Sequence, residues 1–170
     1  ALLQGHFEFA GQRVTDAPGR IFAHLPPSHA WWDELVRLDW LNDLVATDQE
    51  MARLAARRLV LAWAAEALPR LSTAQAARAL INLCRPAQFV VETAPAEICS
   101  EFALVIEALC SRMAGRWPTP PALALDKAIA LTMATTAFKV SAQARNQANA
   151  QLAKALERVI QPDGGHVSRN

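Results

Sequence analysis

From residue 28 onward the sequence is divided into segments with a helical spacing of apolar residues, and this division limits the accessible folds most strongly. All six glycines fall outside these segments, and the links between the segments are short and contain proline. Helices joined by short links usually lie antiparallel to their neighbours. We therefore expect an all-α body made of antiparallel helix pairs.

The composition is that of one globular domain. Hydrophobic residues make up 52% of the 170 residues and charged residues 19%, so the chain can bury a core. The net charge of +1 gives no general attraction to nucleic acid or to an anionic membrane. The sequence has neither a signal-peptide pattern nor an apolar run that could cross a membrane. Because the chain lacks an initiator methionine, we interpret it as a fragment, whose compartment could be cytoplasmic or periplasmic.

Residues 1–27 differ in character from the helical segments. Phe7 and Phe9 alternate with polar residues, which is typical of a short strand or of an extended arm. We expect residues 1–27 to form an extended N-terminal arm and residues 28–170 to form the helical domain.

Three sequences carry signals for the start of a helix. Ser28 is a candidate N-cap for a helix that would run to about Val45. Thr47-Asp-Gln-Glu50 and Ser72-Thr-Ala-Gln75 both have the capping-box pattern, in which two side chains satisfy free backbone N–H groups. A last helix is expected from near Ser141.

The clearest helical pattern runs from residue 95 to residue 114. Phe102, Ile106 and Leu109 lie on one face of this segment. We expect this helix to be the best buried of the fold, with these three side chains among its least exposed.

The last ten residues, 161–170, form the candidate functional segment. Pro162 ends the preceding helix, and the next three residues are typical of a tight turn: Asp163, Gly164 and Gly165. An imidazole, a hydroxyl, a guanidinium and an amide follow, from His166, Ser168, Arg169 and Asn170. Such a loop at a helix end suits ligand binding, and the alternative is an ordinary polar chain end.

We predict no metal or cofactor site. Three histidines and three cysteines lack the spacing of metal ligands: His6, His24, His29, Cys84, Cys99 and Cys110. The cysteines lie among apolar neighbours in helical patterns, so we interpret them as small core residues. The chain also lacks the motifs for nucleotide binding and for the common hydrolases.

Two further groups of residues are candidates for a binding site. Arg53, Arg57 and Arg58 are more typical of a solvated helix face than of a binding site. Most tryptophans are core residues, and Trp40, followed by Asn42, is the one that we single out as a sugar-binding candidate.

Phe9-Ala-Gly11, Trp40-Leu-Asn-Asp-Leu44 and Gln161-Pro-Asp-Gly-Gly-His-Val-Ser-Arg-Asn170 occur in this order along the chain. With them the chain resembles the heparinase II/III-like proteins, in particular the group found in α-proteobacteria. The resemblance covers nearly the whole chain, and its specific part is Asp163-Gly-Gly-His-x-Ser-Arg-Asn170.

The resemblance implies an incomplete (α/α) toroid, which is normally followed by a β-sandwich domain. Established members are polysaccharide lyases that cleave uronate-containing glycans by β-elimination. The reaction needs a group that neutralises the uronic carboxylate, a base for the adjacent proton and an acid for the leaving oxygen. In the family these tasks fall to Asn, His, Arg and Tyr, with another His often coming from the β-sandwich.

The residues carried over from the resemblance are these. Asp163, Gly164 and Gly165 match the structural turn, and His166 matches the position of a candidate catalytic residue. The candidate substrate-binding residues are Arg169, Asn170, Ser168, Trp40 and Asn42. Ser168 stands where many lyases have Glu, the family's catalytic Tyr would lie beyond Asn170, and no Asn-His pair is present.

We therefore expect the helical domain of a polysaccharide lyase that is inactive on its own and uses no cofactor. Its expected partners are an acidic polysaccharide or oligosaccharide and the missing β-sandwich domain. One alternative is a noncatalytic helical domain that binds a glycan or a protein. Another is a helical interaction domain unrelated to sugars.

Overall fold

The computed structural model describes residues 2–114, 120–138 and 140–160, and these residues form a mainly helical fold. One antiparallel hairpin, made of β1 (His6–Phe9) and β2 (Gln12–Thr15), precedes the helices. The α-helices in the described residues are α1 (His29–Val36), α2 (Leu41–Thr47), α3 (Glu50–Glu66), α4 (Thr73–Cys84), α5 (Ala87–Val91), α6 (Ala96–Ala114), α7 (Pro121–Ala137) and α8 (Ala142–Val159). The expected helical body is thus confirmed. None of these helices has both the length and the apolar character that a membrane crossing requires.

We expected residues 1–27 to be an extended arm, and most of residues 2–27 are half-buried or exposed, but three of their side chains are packed into the core. The strand alternative is confirmed at His6–Phe9, and a 3₁₀ turn forms at Ile21–Ala23. Phe7, Ile21 and Phe22 are fully buried. Burial of side chains of this size contributes about 1.5–3 kcal/mol each, which an arm lying on the surface would forgo.

The first predicted helix is in fact two helices. Ser28 caps α1 as expected, because its hydroxyl accepts a hydrogen bond from the Trp31 N–H. The helix does not continue to Val45, since Leu38 between α1 and α2 takes a left-handed conformation with φ of 64°. Leu38 is fully buried. Burial of a leucine side chain offsets the roughly 1–2 kcal/mol cost of that conformation.

One predicted capping box is present and the other is not. The Ser72 hydroxyl accepts from the Gln75 N–H at 3.2 Å, and the Gln75 side-chain oxygen accepts from the Ser72 N–H at 2.8 Å. The Thr47 hydroxyl instead donates to the Leu44 carbonyl at 2.7 Å, within its own helix α2. The box predicted at Thr47–Glu50 was therefore wrong, because α2 extends as far as Thr47 itself.

Helix α4 lies at the centre of the core. Nine of its twelve residues are buried, and it contacts α1, α2, α6 and α7. In α6, Phe102, Ile106 and Leu109 are buried as predicted, while Leu104 on another face is 64% exposed. The prediction that α6 is the best-buried helix was wrong, because α6 presents one face to solvent and α4 is enclosed by its neighbours.

Helices α7 and α8 form an antiparallel pair at one side of the fold. The Ser141 hydroxyl caps α8 by accepting from the Ala144 N–H, which confirms the predicted helix start. The Thr132 hydroxyl in α7 donates to the Ala148 carbonyl in α8 at 3.4 Å. Both residues lie about six positions from the link, as an antiparallel hairpin of helices requires. Helix α7 also packs on α4, so the pair is joined to the core.

Arg53 and Arg57 fix α3 to the end of α5 and to the residue that follows it. Arg57 is 6% exposed, and its Nε donates to the Val90 carbonyl at 2.7 Å. The Arg53 guanidinium pairs with the Glu92 carboxylate at 3.4 Å. Arg58 is exposed. The prediction of a solvated basic face is therefore wrong for Arg53 and Arg57, which hold two elements together.

Candidate functional site

The residues of the C-terminal sequence signature lie outside the described residues. They are Asp163, Gly164, Gly165, His166, Ser168, Arg169 and Asn170. Helix α8 ends at Val159, close to the helix end that we expected ahead of Pro162. The roles assigned to the signature residues stay predictions.

Trp40 lies at the start of α2, and its indole is buried. The indole Nε1 donates a 2.9 Å hydrogen bond to the Leu35 carbonyl, and the residue is 4% exposed. Stacking of a sugar requires an open aromatic face, and a ring that is 4% exposed leaves little more than an edge for contact. As a substrate-binding residue Trp40 stays a prediction, restricted to contacts at that edge.

The exposed edge of Trp40 borders a groove between the hairpin and α2. Two adjoining pockets of about 370 and 410 Å³ share Glu8, Phe9, Trp40 and Asp43. The groove continues on one side toward His6 and Arg13 and on the other toward Glu34 and Asp39. It therefore combines two aromatic rings with several carboxylates.

The groove exists because the hairpin is docked on α1. The Trp31 Nε1 donates to the Gln12 carbonyl at 3.1 Å, and the rings of Trp31 and Phe9 meet edge to face at 5.6 Å. At the hairpin turn the Ala10 N–H donates to the Glu34 carboxylate at 2.8 Å. These contacts hold β1 beside α1 and so fix the position of the groove wall.

The charge of the groove is negative. Its lining contains the carboxylates of Glu8, Glu34, Asp39 and Asp43 against the single guanidinium of Arg13. Arg13 is already paired with Glu8 at 2.7 Å. Coulomb repulsion acts across distances up to a Debye length of roughly 8–10 Å, so the groove disfavours a uronate or a sulfate and favours a cationic group.

Asn42 does not share the groove with Trp40. It is exposed in the first turn of α2, and its Nδ2 donates to the Asp39 carbonyl at 3.0 Å. Two residues separated by two positions on a helix point in different directions. The predicted substrate contact of Asn42 would therefore have to form outside this groove, and it stays a prediction.

The sequence patterns did not predict the acidic groove. Glu8 and Asp43 belong to elements far apart in the chain, and no spacing pattern connects them. Their proximity follows from the docking of the hairpin, which we had interpreted as an arm. Among the described residues, no group of three or more His, Cys, Asp or Glu side chains is arranged to hold a metal ion.

Of the three cysteines, Cys84 in α4 is a buried core residue as predicted, while Cys110 in α6 is partly buried against the core and Cys99 is half-buried. Burial raises the pKa of the Cys84 thiol to about 12, and the neighbouring Cys110 adds to the shift. Burial also raises the pKa of Cys110, with a further contribution from Glu107. Both groups therefore remain thiols near neutral pH, and a thiol is a poor nucleophile.

The chain matches no established family in comparisons with known proteins. No protein-family model matches it, and neither a curated protein nor a solved structure shows significant similarity to it. These comparisons therefore do not test the resemblance to the heparinase II/III-like proteins, which stays a prediction.

Proposed function

We propose that the chain is the helical domain of a longer polysaccharide lyase, which cleaves uronate-containing glycans by β-elimination. The observation that supports this proposal is the sequence that follows α8, because residues 163–170 resemble a signature of the heparinase II/III-like proteins. Helix α8 ends at Val159, so the signature follows a helix that is packed through α7 on the core. In this proposal the helices are part of an incomplete (α/α) toroid, and α7 and α8 are one of its antiparallel pairs.

The signature residues have distinct chemical roles in the proposed reaction. Arg169 pairs bidentately with the uronic carboxylate, and neutralising that charge makes the adjacent C–H more acidic. His166 in its neutral form accepts a proton, and it can otherwise donate a hydrogen bond to the sugar. Ser168 and Asn170 supply further hydrogen bonds to substrate. Two adjacent glycines at positions 164 and 165 are a sequence typical of a tight turn.

The chain alone lacks part of the machinery that β-elimination requires. The reaction needs both a base and an acid, and the chain has no tyrosine to act as the second proton-transfer group. In this proposal the tyrosine lies beyond Asn170, and the β-sandwich domain supplies a further histidine. The helical domain by itself therefore binds and positions substrate without turning it over.

The purified chain and the longer protein should be compared on heparan sulfate and on alginate. The unsaturated product of β-elimination absorbs ultraviolet light, so its formation can be followed directly. We expect product with the longer protein and none with the chain alone. Product formation by the chain above the buffer control would contradict the assigned division of roles, and no product with the longer protein on any uronate glycan would contradict the lyase proposal.

The acidic groove favours a second candidate function, a noncatalytic domain that binds a protein. Four carboxylates beside Phe9 and the edge of Trp40 suit a basic peptide segment better than an acidic glycan. This can be tested with a fluorescent lysine-rich peptide and a glutamate-rich peptide of equal length. Asp43→Asn should weaken binding of the basic peptide, while Asp48→Asn, at a position outside the groove lining, should not. Equal effects of the two substitutions would exclude specific binding in the groove.

A further inference from the structure

A pocket of about 350 Å³, separate from the groove at Trp40, lies where α1, the start of α4 and α7 meet. The polar and charged residues that matter in its lining are His29, Asp33, Arg37, Gln75, Arg78 and Asp126. This pocket differs from the groove at Trp40 because two guanidinium groups, from separate helices, face the same space.

The two arginines keep donors available for a ligand. Arg37 pairs with Asp33 on α1, and Arg78 on α4 pairs with Asp126 on α7 at 3.5 Å. The side chains of Arg37 and Arg78 remain 41% and 53% exposed. A guanidinium carries five N–H donors, so each arginine has several that face solvent after its ion pair is made. Exposed ion pairs contribute only about 0–1 kcal/mol, so a ligand can rearrange them at little cost.

Hydrogen bonds hold the wall behind the arginines in place. Gln75 is 8% exposed, its Nε2 donates to the Asp33 carboxylate at 3.1 Å, and its Oε1 accepts from the Ser72 N–H at 2.8 Å. These bonds hold the carboxylate that in turn orients Arg37. A ligand therefore meets a partly preorganised site, which lowers the entropic cost of binding.

We propose that this pocket binds a small oxyanion group, a carboxylate or a sulfate, between Arg37 and Arg78. Planar guanidinium groups match the geometry of such oxyanions and bind them through paired N–H donors. The carboxylates of Asp33 and Asp126 balance the charge of the two arginines, with which they pair. The oxyanion can be free or carried by an acidic sugar, and its binding does not require the lyase function.

Binding can be measured by NMR on the ¹⁵N-labelled 170-residue chain. Sulfate, acetate and glucuronate are added at constant ionic strength, with glucose as the neutral control. We expect the side-chain amide of Gln75 and the backbone amide of Ala74 to shift and saturate, with a Kd on the order of 1–10 mM. Glucose should cause no such shift. Tighter binding of glucuronate than of acetate would identify a sugar-borne group, and equal binding a free anion.

Variants decide whether the two arginines form the site. Arg78→Gln and Arg37→Gln should each weaken binding by at least about fivefold, as loss of a charge-assisted contact predicts. Arg58→Gln is the matched control, because Arg58 is an exposed arginine outside this pocket. The dispersion of the spectra and the melting temperature verify folding of each variant. Shifts that do not saturate, or equal weakening by Arg58→Gln, would overturn the proposal, as would unchanged affinity in both pocket variants.

Discussion

Asn82 is expected to be the residue that fixes the break between α1 and α2. Its amide is 3% exposed, and Nδ2 donates to the Arg37 carbonyl at 2.8 Å and to the Asp39 carboxylate at 2.7 Å. These two acceptors flank Leu38, whose left-handed conformation turns the chain into α2. Replacing Asn82 with alanine should therefore loosen this turn, and with it the position of Trp40.

The expected loss of stability in Asn82→Ala follows from the two hydrogen bonds that the substitution removes. A bond between neutral groups contributes about 0.5–1.5 kcal/mol and one to a charged group about 1.5–3 kcal/mol, but Asp39 is exposed, so water can solvate its carboxylate when the bond is lost. We therefore expect Asn82→Ala to lower the free energy of unfolding by roughly 1–3 kcal/mol. Asn42→Ala is the matched control. Asn42 is exposed, and its side-chain amide also donates a hydrogen bond to residue 39, in this case to the backbone carbonyl of Asp39. That change should stay within about 0.5 kcal/mol.

Urea unfolding followed by circular dichroism measures both variants. A double-mutant cycle with Asp39→Ala should give a coupling energy of about 1 kcal/mol or more between positions 39 and 82. If Asn82→Ala lowered the free energy of unfolding by less than about 1 kcal/mol, or by no more than Asn42→Ala, the hydrogen bonds of Asn82 would not be what stabilises the turn at Leu38.

Three further predictions concern the core, the cysteines and the hairpin. Phe102→Ala should lower the free energy of unfolding by about 3–5 kcal/mol, because the side chain is 2% exposed, and a loss below about 1 kcal/mol would show that it is not a core residue. The raised pKa of Cys84 means that the unfolded chain loses this thiol proton first as pH rises above 9.0. The contribution of Cys84 to stability should therefore be constant below that pH and fall by up to about 1.4 kcal/mol per unit above it. Comparison of urea midpoints for wild type and Cys84→Ala between pH 8 and 10 tests this, and identical slopes would contradict it. Ala10→Asn should stabilise the chain by about 0.5–1 kcal/mol, because φ of 48° at Ala10 is easier for asparagine, and a lower melting temperature would contradict the turn geometry.

Local signals in the sequence predicted the helices that depend on local chemistry. Ser72 and Ser141 cap α4 and α8 as expected, because the cap and the N–H groups that it accepts from lie within one turn. The break at Leu38 could not be predicted in this way. It depends on burial of the leucine side chain and on Asn82, which lies far along the chain.

The candidate sites, too, could be predicted from the sequence only where their residues are contiguous. The signature at residues 163–170 is contiguous, so it could be found by inspection of the sequence. The acidic groove requires the hairpin to dock on α1, and the oxyanion pocket brings together Arg37 and Arg78 from separate helices. Neither arrangement leaves a spacing pattern, because each depends on how distant elements pack.

The glycan affinity of the longer protein tests the proposed function most directly. Wild type, His166→Ala and Arg169→Ala are titrated with a uronate oligosaccharide at one fixed salt concentration, after equal melting temperatures have shown that all three are folded. Loss of a charge-assisted bidentate contact predicts at least about tenfold weaker binding for Arg169→Ala and a smaller loss for His166→Ala. Unchanged affinity in both folded variants would show that the signature has only a structural role.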